Sequence, residues 1–331
     1  MNRRDFLNAA MLGGTSALVA LADPATAEPP PETTRLRVHH SLSLCQAPQY
    51  VAEDLLRGEG FTEVEYVPHG PKKDFYEKLG SGEADIGGDF ATSVIIQLDR
   101  GTPIMVLGGI HVGCFELFGT EQVRTIRDLK RETVGVRGLD TPPHHFLSTM
   151  AAYVGLDPRR DITWVTHPSE ESMRLLSRGE IDAFIGFPPE PQELRAKRIG
   201  HVVVNSALDR PWSQYFCCMS VANRDFARKY PVATKRALRA VLKAADICAL
   251  DPDRAAKSLE AQSVTKRYDL ARQTMKDVPY TKWRSYDPED TMRFYALRLN
   301  EIGMIKSSPQ KIIAEGTDWR SLNELKKELK G

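Results

Sequence analysis

Two stretches of this chain share one pattern. The first is Leu79-Gly-Ser-Gly-Glu-Ala-Asp-Ile-Gly-Gly-Asp-Phe90 and the second is Leu176-Ser-Arg-Gly-Glu-Ile-Asp-Ala-Phe-Ile-Gly-Phe187. Each reads Leu-x-x-Gly-Glu-x-Asp, then a short apolar run, then Phe. In each, an amphipathic helix meets a glycine, Gly82 or Gly179, that can take the left-handed conformation closing a helix. Asp85 and Asp182 suit the turn that follows. The apolar run then reads as a short buried strand of a sheet flanked by helices, whose end faces a crevice. Two such units predict two α/β lobes of similar build that offer strand-end loops to a shared cleft.

The N-terminus reads as an address. Asn2-Arg3-Arg4-Asp5-Phe6-Leu7 is a twin-arginine pattern, an uncharged Ala/Leu/Gly-rich run follows from Ala9 to Ala22, and Ala25-Thr26-Ala27 is a small-x-small cleavage signature. Such leaders are read by a receptor and do not anchor the chain, and the apolar run is too short to span a bilayer. The expectation is a leader over residues 1–27 cleaved near Ala27, export of a folded chain, and a periplasmic protein.

The 331 residues carry 45 Lys and Arg against 44 Asp and Glu, with no basic stretch. That balance excludes a nucleic-acid partner. Cys45, Cys114, Cys217, Cys218 and Cys248 are odd in number and lack metal-ligand spacing, so buried free thiols are expected, although export would permit one disulfide. His39-His40 and His144-His145 invite a metal reading, but adjacent side chains on a strand or helix diverge. There is no Gly-x-Gly-x-x-Gly after the first strand, no phosphate-binding P-loop and no Gly-x-Ser-x-Gly. The expectation is no enzyme, no cofactor and no metal.

Hydrophobic periodicity places strands at 35–42, 64–67, 103–110, 133–136, 162–165, 183–187 and 201–205. Helices are expected from Gln46-Ala47-Pro48 to about Arg57, with Pro48 near the first turn, and at 75–79, 91–98, 144–154 and 169–176, the last with Ser169 as N-cap. Segments 115–119 and 216–221 read as two crossings between lobes. After Asp225 the chain turns largely helical, ending in a charged amphipathic helix from Ser321. The expected division is lobe 1 from 28–113 and 214–331, with the C-terminal helices, and lobe 2 from 114–213.

The chain resembles the periplasmic solute-binding proteins of ABC importers for nitrate, aliphatic sulfonates and taurine, a superfamily that includes binders of thiamine-pyrimidine precursors. The resemblance rests on Gln46-Ala47-Pro48-Gln49-Tyr50-Val51-Ala52, both Gly-Glu-x-Asp units, Gly108-Gly109-Ile110-His111-Val112-Gly113-Cys114, Ile126-Arg127-Asp128-Leu129-Lys130, Val134-Gly135-Val136, Gly155-Leu156-Asp157-Pro158, Cys217-Cys218-Met219-Ser220-Val221-Ala222-Asn223, Gly303-Met304-Ile305 and Gly316-Thr317-Asp318-Trp319. It departs from the family at Arg137 and at Thr141-Pro142-Pro143-His144. The resemblance implies a bilobal type II-like periplasmic-binding fold, a small-molecule solute, a membrane permease as partner and a monomer. It also implies two other roles for this fold: a cytoplasmic thiamine-pyrimidine synthase, whose eukaryotic members have a Cys-rich motif near Cys217-Cys218, and a sensor.

Helix N-termini offer unpaired N–H groups suited to an anion or polar head. Three are expected at the cleft: Gln46-Ala47, then Thr92 and Ser93 after the strand-end Asp89 and Phe90, then Gly138 to His144 with Thr141. Arg137 beside the third would hold a carboxylate or sulfonate, or else pair internally, for example with Asp140. His111 ends the last strand of lobe 1, as ligand donor or as a satisfied core histidine. Phe90, Phe187, Tyr215 and Trp212 are candidate cleft walls. The solute is expected to be small and anionic, with a pyrimidine precursor as the alternative.

Overall fold

The structure, a computed structural model, describes residues 28–41, 43–68 and 74–329. The leader expected at 1–27 and the strand end at Leu42 lie outside these residues. Pro31–Gly331 forms one compact unit.

Among the described residues, ten strands make two sheets. They are β1 (Arg35–His40), β2 (Glu63–Pro68), β3 (Ile86–Phe90), β4 (Ile104–Val112), β5 (Glu116–Gly119), β6 (Thr133–Val136), β7 (Thr163–Thr166), β8 (Ala183–Gly186), β9 (His201–Asn205) and β10 (Phe216–Asn223). The first sheet runs β2-β1-β3-β10-β4 and the second β7-β6-β8-β5-β9. These orders are the same topology twice. In each, three strands run parallel and the fourth, β10 or β5, enters antiparallel. That fourth strand is the one arriving from the other sheet: β5 follows β4 across the gap, and β10 returns from β9. The lobes are therefore stitched together by two crossings, at 113–115 and 206–215.

The repeated motif builds the same joint in both lobes. The helix Phe75–Gly80 ends with Gly82 at φ 74° and the Glu83 N–H donating back to the Lys78 carbonyl at 2.9 Å. The helix Ser169–Ser177 ends with Gly179 at φ 67° and the Glu180 N–H donating to Leu175 at 3.0 Å. Only a residue without Cβ takes this left-handed turn freely, so the glycine fixes where the helix stops and β3 or β8 begins.

Three expectations are corrected. Ser169 is the first helical residue, with Pro168 as the N-cap. The first helix is broken into a 3-10 turn at Leu44–Gln46 and the helices Pro48–Val51 and Glu53–Gly58. A helix at Glu190–Lys197 lies between β8 and β9 where none was expected. The long C-terminal helix, Pro231–Leu250, buries an alanine-rich face on the first lobe, while the helix Pro288–Glu301 also reaches the second lobe, with Tyr295 against Phe146. No helix among the described residues is long and apolar enough to cross a membrane.

Candidate functional site

A cleft of about 440 Å³ lies between the sheets, lined from the first lobe by His39, His40, Ser41, Ser43, Phe75 and Asp89 beside Phe90, and from the second by Arg137, Phe187, Pro188, Pro189 and Glu190. It sits beyond the ends of β1, β3, β6 and β8, where the repeated joint puts its loops. Phe90 and Phe187, the last residues of the two repeats, meet across it with ring centroids 5.1 Å apart. The Phe90 ring also packs on Phe115 in the first crossing, at 4.7 Å.

The electrostatics are mixed. Asp89 keeps partial contact with solvent, but burial pushes its carboxyl up to about 6, helped by the nearby Cys45 and Cys217 thiols. Glu190 is buried; that burial raises its carboxyl despite contacts from Ser169, Arg137 and the Phe187 N–H. Its Oε2 accepts from the Phe187 N–H at 3.0 Å and its Oε1 from Arg137 Nη2 at 2.9 Å. The Arg137 guanidinium lies 5.4 Å over the Phe187 ring and donates to Ser169 at 3.3 Å. Arg137 is thus internally paired, with Glu190 and not with Asp140. Its side chain remains 54% exposed.

Of the residues expected at the cleft from sequence, Asp89, Phe90, Arg137 and Phe187 line it. Gly138 opens with Arg137 onto an adjoining surface concavity. Gln46 lies directly behind Gly88, a lining residue, and its buried Nε2 has no hydrogen-bond partner. Ala47 is buried at the start of the Pro48 helix. Thr92 is buried with its hydroxyl unpartnered. Tyr215 is outside the cleft, stacked on Phe294 at 4.1 Å, and Trp212 is core. His111 is fully buried among thiols behind the cleft.

The third helix start offers little to an anion. The helix Pro142–Tyr153 begins with two prolines, which have no N–H, and the His145 N–H donates to Thr141. The Thr141 hydroxyl donates to the Gly138 carbonyl at 2.5 Å. His144 packs edge-on against Trp164 at 4.8 Å, and burial lowers its imidazole to about 4.

A polar chain joins the lobes beside the cleft. Ser93 Oγ lies 3.1 Å from His145 Nδ1, His145 Nε2 lies 3.0 Å from Asp140 Oδ1, and Arg100 Nη2 donates to Asp140 Oδ2 at 2.8 Å. A carboxylate only accepts, so His145 Nε2 donates and Nδ1 accepts from the serine. Burial lowers the His145 pKa, which agrees with a neutral ring. The set has the members of a Ser-His-Asp triad; Ser93 is buried, 5% exposed, and the chain of bonds serves as a latch between the lobes.

Sequence reasoning missed Glu190, Ser41, Ser43 and Phe75, and weighed His39 and His40 only for a metal and not for the cleft. A signal for Glu190 was present: Pro188-Pro189-Glu190-Pro191 carries a proline in the first helical turn and an acid at the helix start, both N-terminal marks.

A family model described as NMT1/THI5 like matches residues 47–255, more than half of the chain. No protein of curated function matches it. Among solved structures, the chain is similar to the periplasmic nitrate-binding protein NrtA from Synechocystis PCC 6803, with 13% identity over 91% of this chain and 90% of that one and a TM-score of 0.72. It is also similar to the alkanesulfonate-binding protein SsuA from Xanthomonas axonopodis pv. citri bound to MOPS, with 16% identity over 87% and 99% and a TM-score of 0.68. The periplasmic aliphatic sulphonate binding protein SsuA from Escherichia coli follows at 15% identity over 83% and 94%, with a TM-score of 0.66. At such identities the likeness is one of fold.

Proposed function

The chain belongs to the NMT1/THI5-like family, and from that premise we propose that it captures a small solute between its lobes outside the cytoplasm and presents it to an ABC-type permease. The observation that carries this reading is the cleft, walled by equivalent strand ends of two lobes whose aromatic tips, Phe90 and Phe187, approach to 5.1 Å. A ligand touching both walls favours the closed arrangement, and a permease can distinguish closed from open. The twin-arginine leader read from sequence supports the location. Replacing Arg3 and Arg4 by Lys should leave unprocessed precursor in the cytoplasm on fractionation, and normal periplasmic levels would remove that support.

For the solute, the lining favours a planar nitrogen heterocycle with N–H donors. Phe75, Phe90 and Phe187 give the lining aromatic surface, and Asp89 and Glu190 give it acceptors. The anionic reading draws on one feature, the exposed edge of Arg137. Thermal-shift screening against aminopyrimidines, nitrate, sulfonates and carboxylates separates them, because a ligand bound only by the native state raises its apparent stability. The heterocycle reading requires that Arg137→Ala leave affinity within a few-fold. A loss of about 2–5 kcal/mol, as for breaking a buried charged pair, that Glu190→Gln does not reproduce would instead support an anion clamp.

A further inference from the structure

Behind the cleft wall, four side chains from distant parts of the sequence converge. The donor atoms of Cys45, His111, Cys114 and Cys218 all lie within 4.8 Å of one another, and all four residues are buried. Cys45 sits in the 3-10 turn after β1, His111 near the end of β4, Cys114 in the first crossing and Cys218 on the strand that returns from the second. We propose that these residues form a tetrahedral Cys3His site for a thiophilic divalent cation of the zinc type, resident in the protein and separate from the solute cleft.

The donor set has the composition of a closed structural zinc site. With Zn–S about 2.3 Å and Zn–N about 2.0 Å, tetrahedral donors stand roughly 3.3–3.8 Å apart, so the widest pair must close by only about 1 Å. His111 is oriented for the task. Its Nδ1 lies 3.3 Å from the Val112 carbonyl, which can only accept, so Nδ1 carries the proton and Nε2 the lone pair. That Nε2 is buried and makes no hydrogen bond. A carbonyl that fixes the outer nitrogen of a metal-binding histidine is an ordinary outer-shell arrangement. The other supports are similar: the Tyr280 hydroxyl donates to the Cys45 carbonyl at 3.1 Å, Ser43 Oγ lies 3.1 Å from Cys45 Sγ, and the Cys114 N–H donates to Ser206 Oγ at 3.1 Å.

Charge selects the ion. Three thiolates and a neutral imidazole leave one net negative charge around Zn²⁺ but two around Cu⁺, and a fully buried site favours the smaller imbalance. Binding displaces the thiol protons to solvent. The bound ion would tie the first turn after β1 to the start of one crossing and the end of the other, and so stiffen the lobes at their join.

Cys217 makes the test sharp, because its Sγ lies 3.2 Å from that of Cys114 and oxidation of this pair would remove a ligand. The full chain, purified reduced and without oxygen, is freed of metal and titrated with Co²⁺, Zn²⁺ or Cu⁺ alone. We expect about one Co²⁺ per chain, with tetrahedral d–d bands and thiolate-to-cobalt charge transfer, displaced by Zn²⁺. Cys218→Ser should weaken Zn²⁺ binding at least about tenfold. Cys248→Ser, buried outside the group, should leave it unchanged. An octahedral cobalt spectrum, no bound Zn²⁺ in folded reduced protein, binding of Cu⁺ alone, or a Cys114–Cys217 disulfide in protein recovered from its native compartment would each overturn the assignment.

Discussion

Asp85 and Asp182 occupy equivalent places in the two lobes and make the same bond. Asp85 Oδ2 accepts from the Arg37 N–H on β1 at 2.7 Å, and Asp182 Oδ2 accepts from the Thr133 N–H on β6 at 2.8 Å. Their own N–H groups donate back, to the Arg37 carbonyl at 2.8 Å and the Thr133 carbonyl at 2.9 Å. Each aspartate therefore clasps the start of the neighbouring parallel strand, and sets the register that brings β3 or β8 to the cleft. The copies differ in one respect: Asp85 is 4% exposed and also pairs with the Arg37 guanidinium.

From that difference, Asp85→Ala should destabilise the chain by about 3 kcal/mol, since it strands a partly buried guanidinium and an N–H group. Asp182→Ala, which removes one hydrogen bond from a wetter site, should cost about 1 kcal/mol. Urea unfolding with unchanged m-value measures both, and equal costs would show that the ion pair adds nothing.

The repeat was legible because its chemistry is local. A glycine after an amphipathic helix, an aspartate three residues on and an apolar run suffice to write a helix–turn–strand joint. The strand it leads into ends at the cleft, which is why Asp89, Phe90 and Phe187 were found. Residues placed by long-range packing were not legible. Tyr215 ends the second crossing but turns to Phe294. Arg137 stands where it was expected, yet its partner Glu190 comes from a helix the sequence reading passed over. The cysteine group was hidden for another reason. Its members belong to three separate segments, so no spacing betrays them, and adjacent residues of a regular strand point to opposite faces. The pairing of β10 with β4 shifts register around Cys217 and Cys218, and such a bulge re-aims side chains in a way the sequence does not announce.

Asp89 gives the binding step a pH signature whose sign identifies the solute class. Its carboxyl is pushed up to about 6 by burial, so it gains its charge as pH rises through that value. A solute presenting N–H groups is held better by the carboxylate, so affinity should rise between about pH 5 and 7. An anionic solute is repelled by it and should show the opposite slope. Calorimetry across that range with a solute that does not itself titrate there reads the sign. Asp89→Asn should flatten the curve in either case, and persistence of the slope in this variant would remove Asp89 from the site.

His144 should make the fold acid-sensitive. Its pKa falls from 6.5 to about 4 on folding, chiefly through burial, with repulsion from His145 adding to it. The unfolded chain thus takes up a proton below pH 6.5 that the folded chain refuses until about pH 4. Stability is full above 6.5 and declines through that window. The shift corresponds to about 3 kcal/mol at 1.4 kcal/mol per unit, reduced to roughly 2 because the ring keeps some contact with water. Chemical denaturation at pH 7 and pH 4.5 should show this loss in the wild type and a smaller one in His144→Asn. A neutral variant with the full loss would place the effect on other groups.

The latch beside the cleft predicts how open the unliganded protein is. Ser93 and Arg100 belong to the first lobe and His145 and Asp140 to the second, so their bonds form only when the lobes are close. The Arg100–Asp140 pair is about half exposed at both ends and contributes at most about 1 kcal/mol. The enclosed Ser93–His145 bond adds about 1 kcal/mol. A bias of 1–2 kcal/mol is enough to shift a two-state equilibrium by roughly tenfold. Removing it in Ser93→Ala/Arg100→Ala should raise the radius of gyration of the free protein measured by small-angle scattering, while saturating solute restores the compact value. Affinity should fall by up to about tenfold, because solute binding must then supply the closure that the latch supplied before. If the double variant keeps both the radius of gyration and the affinity of the wild type, the latch has no part in closure and the other contacts between the lobes, Gln192 and Arg195 with Asp277 among them, suffice.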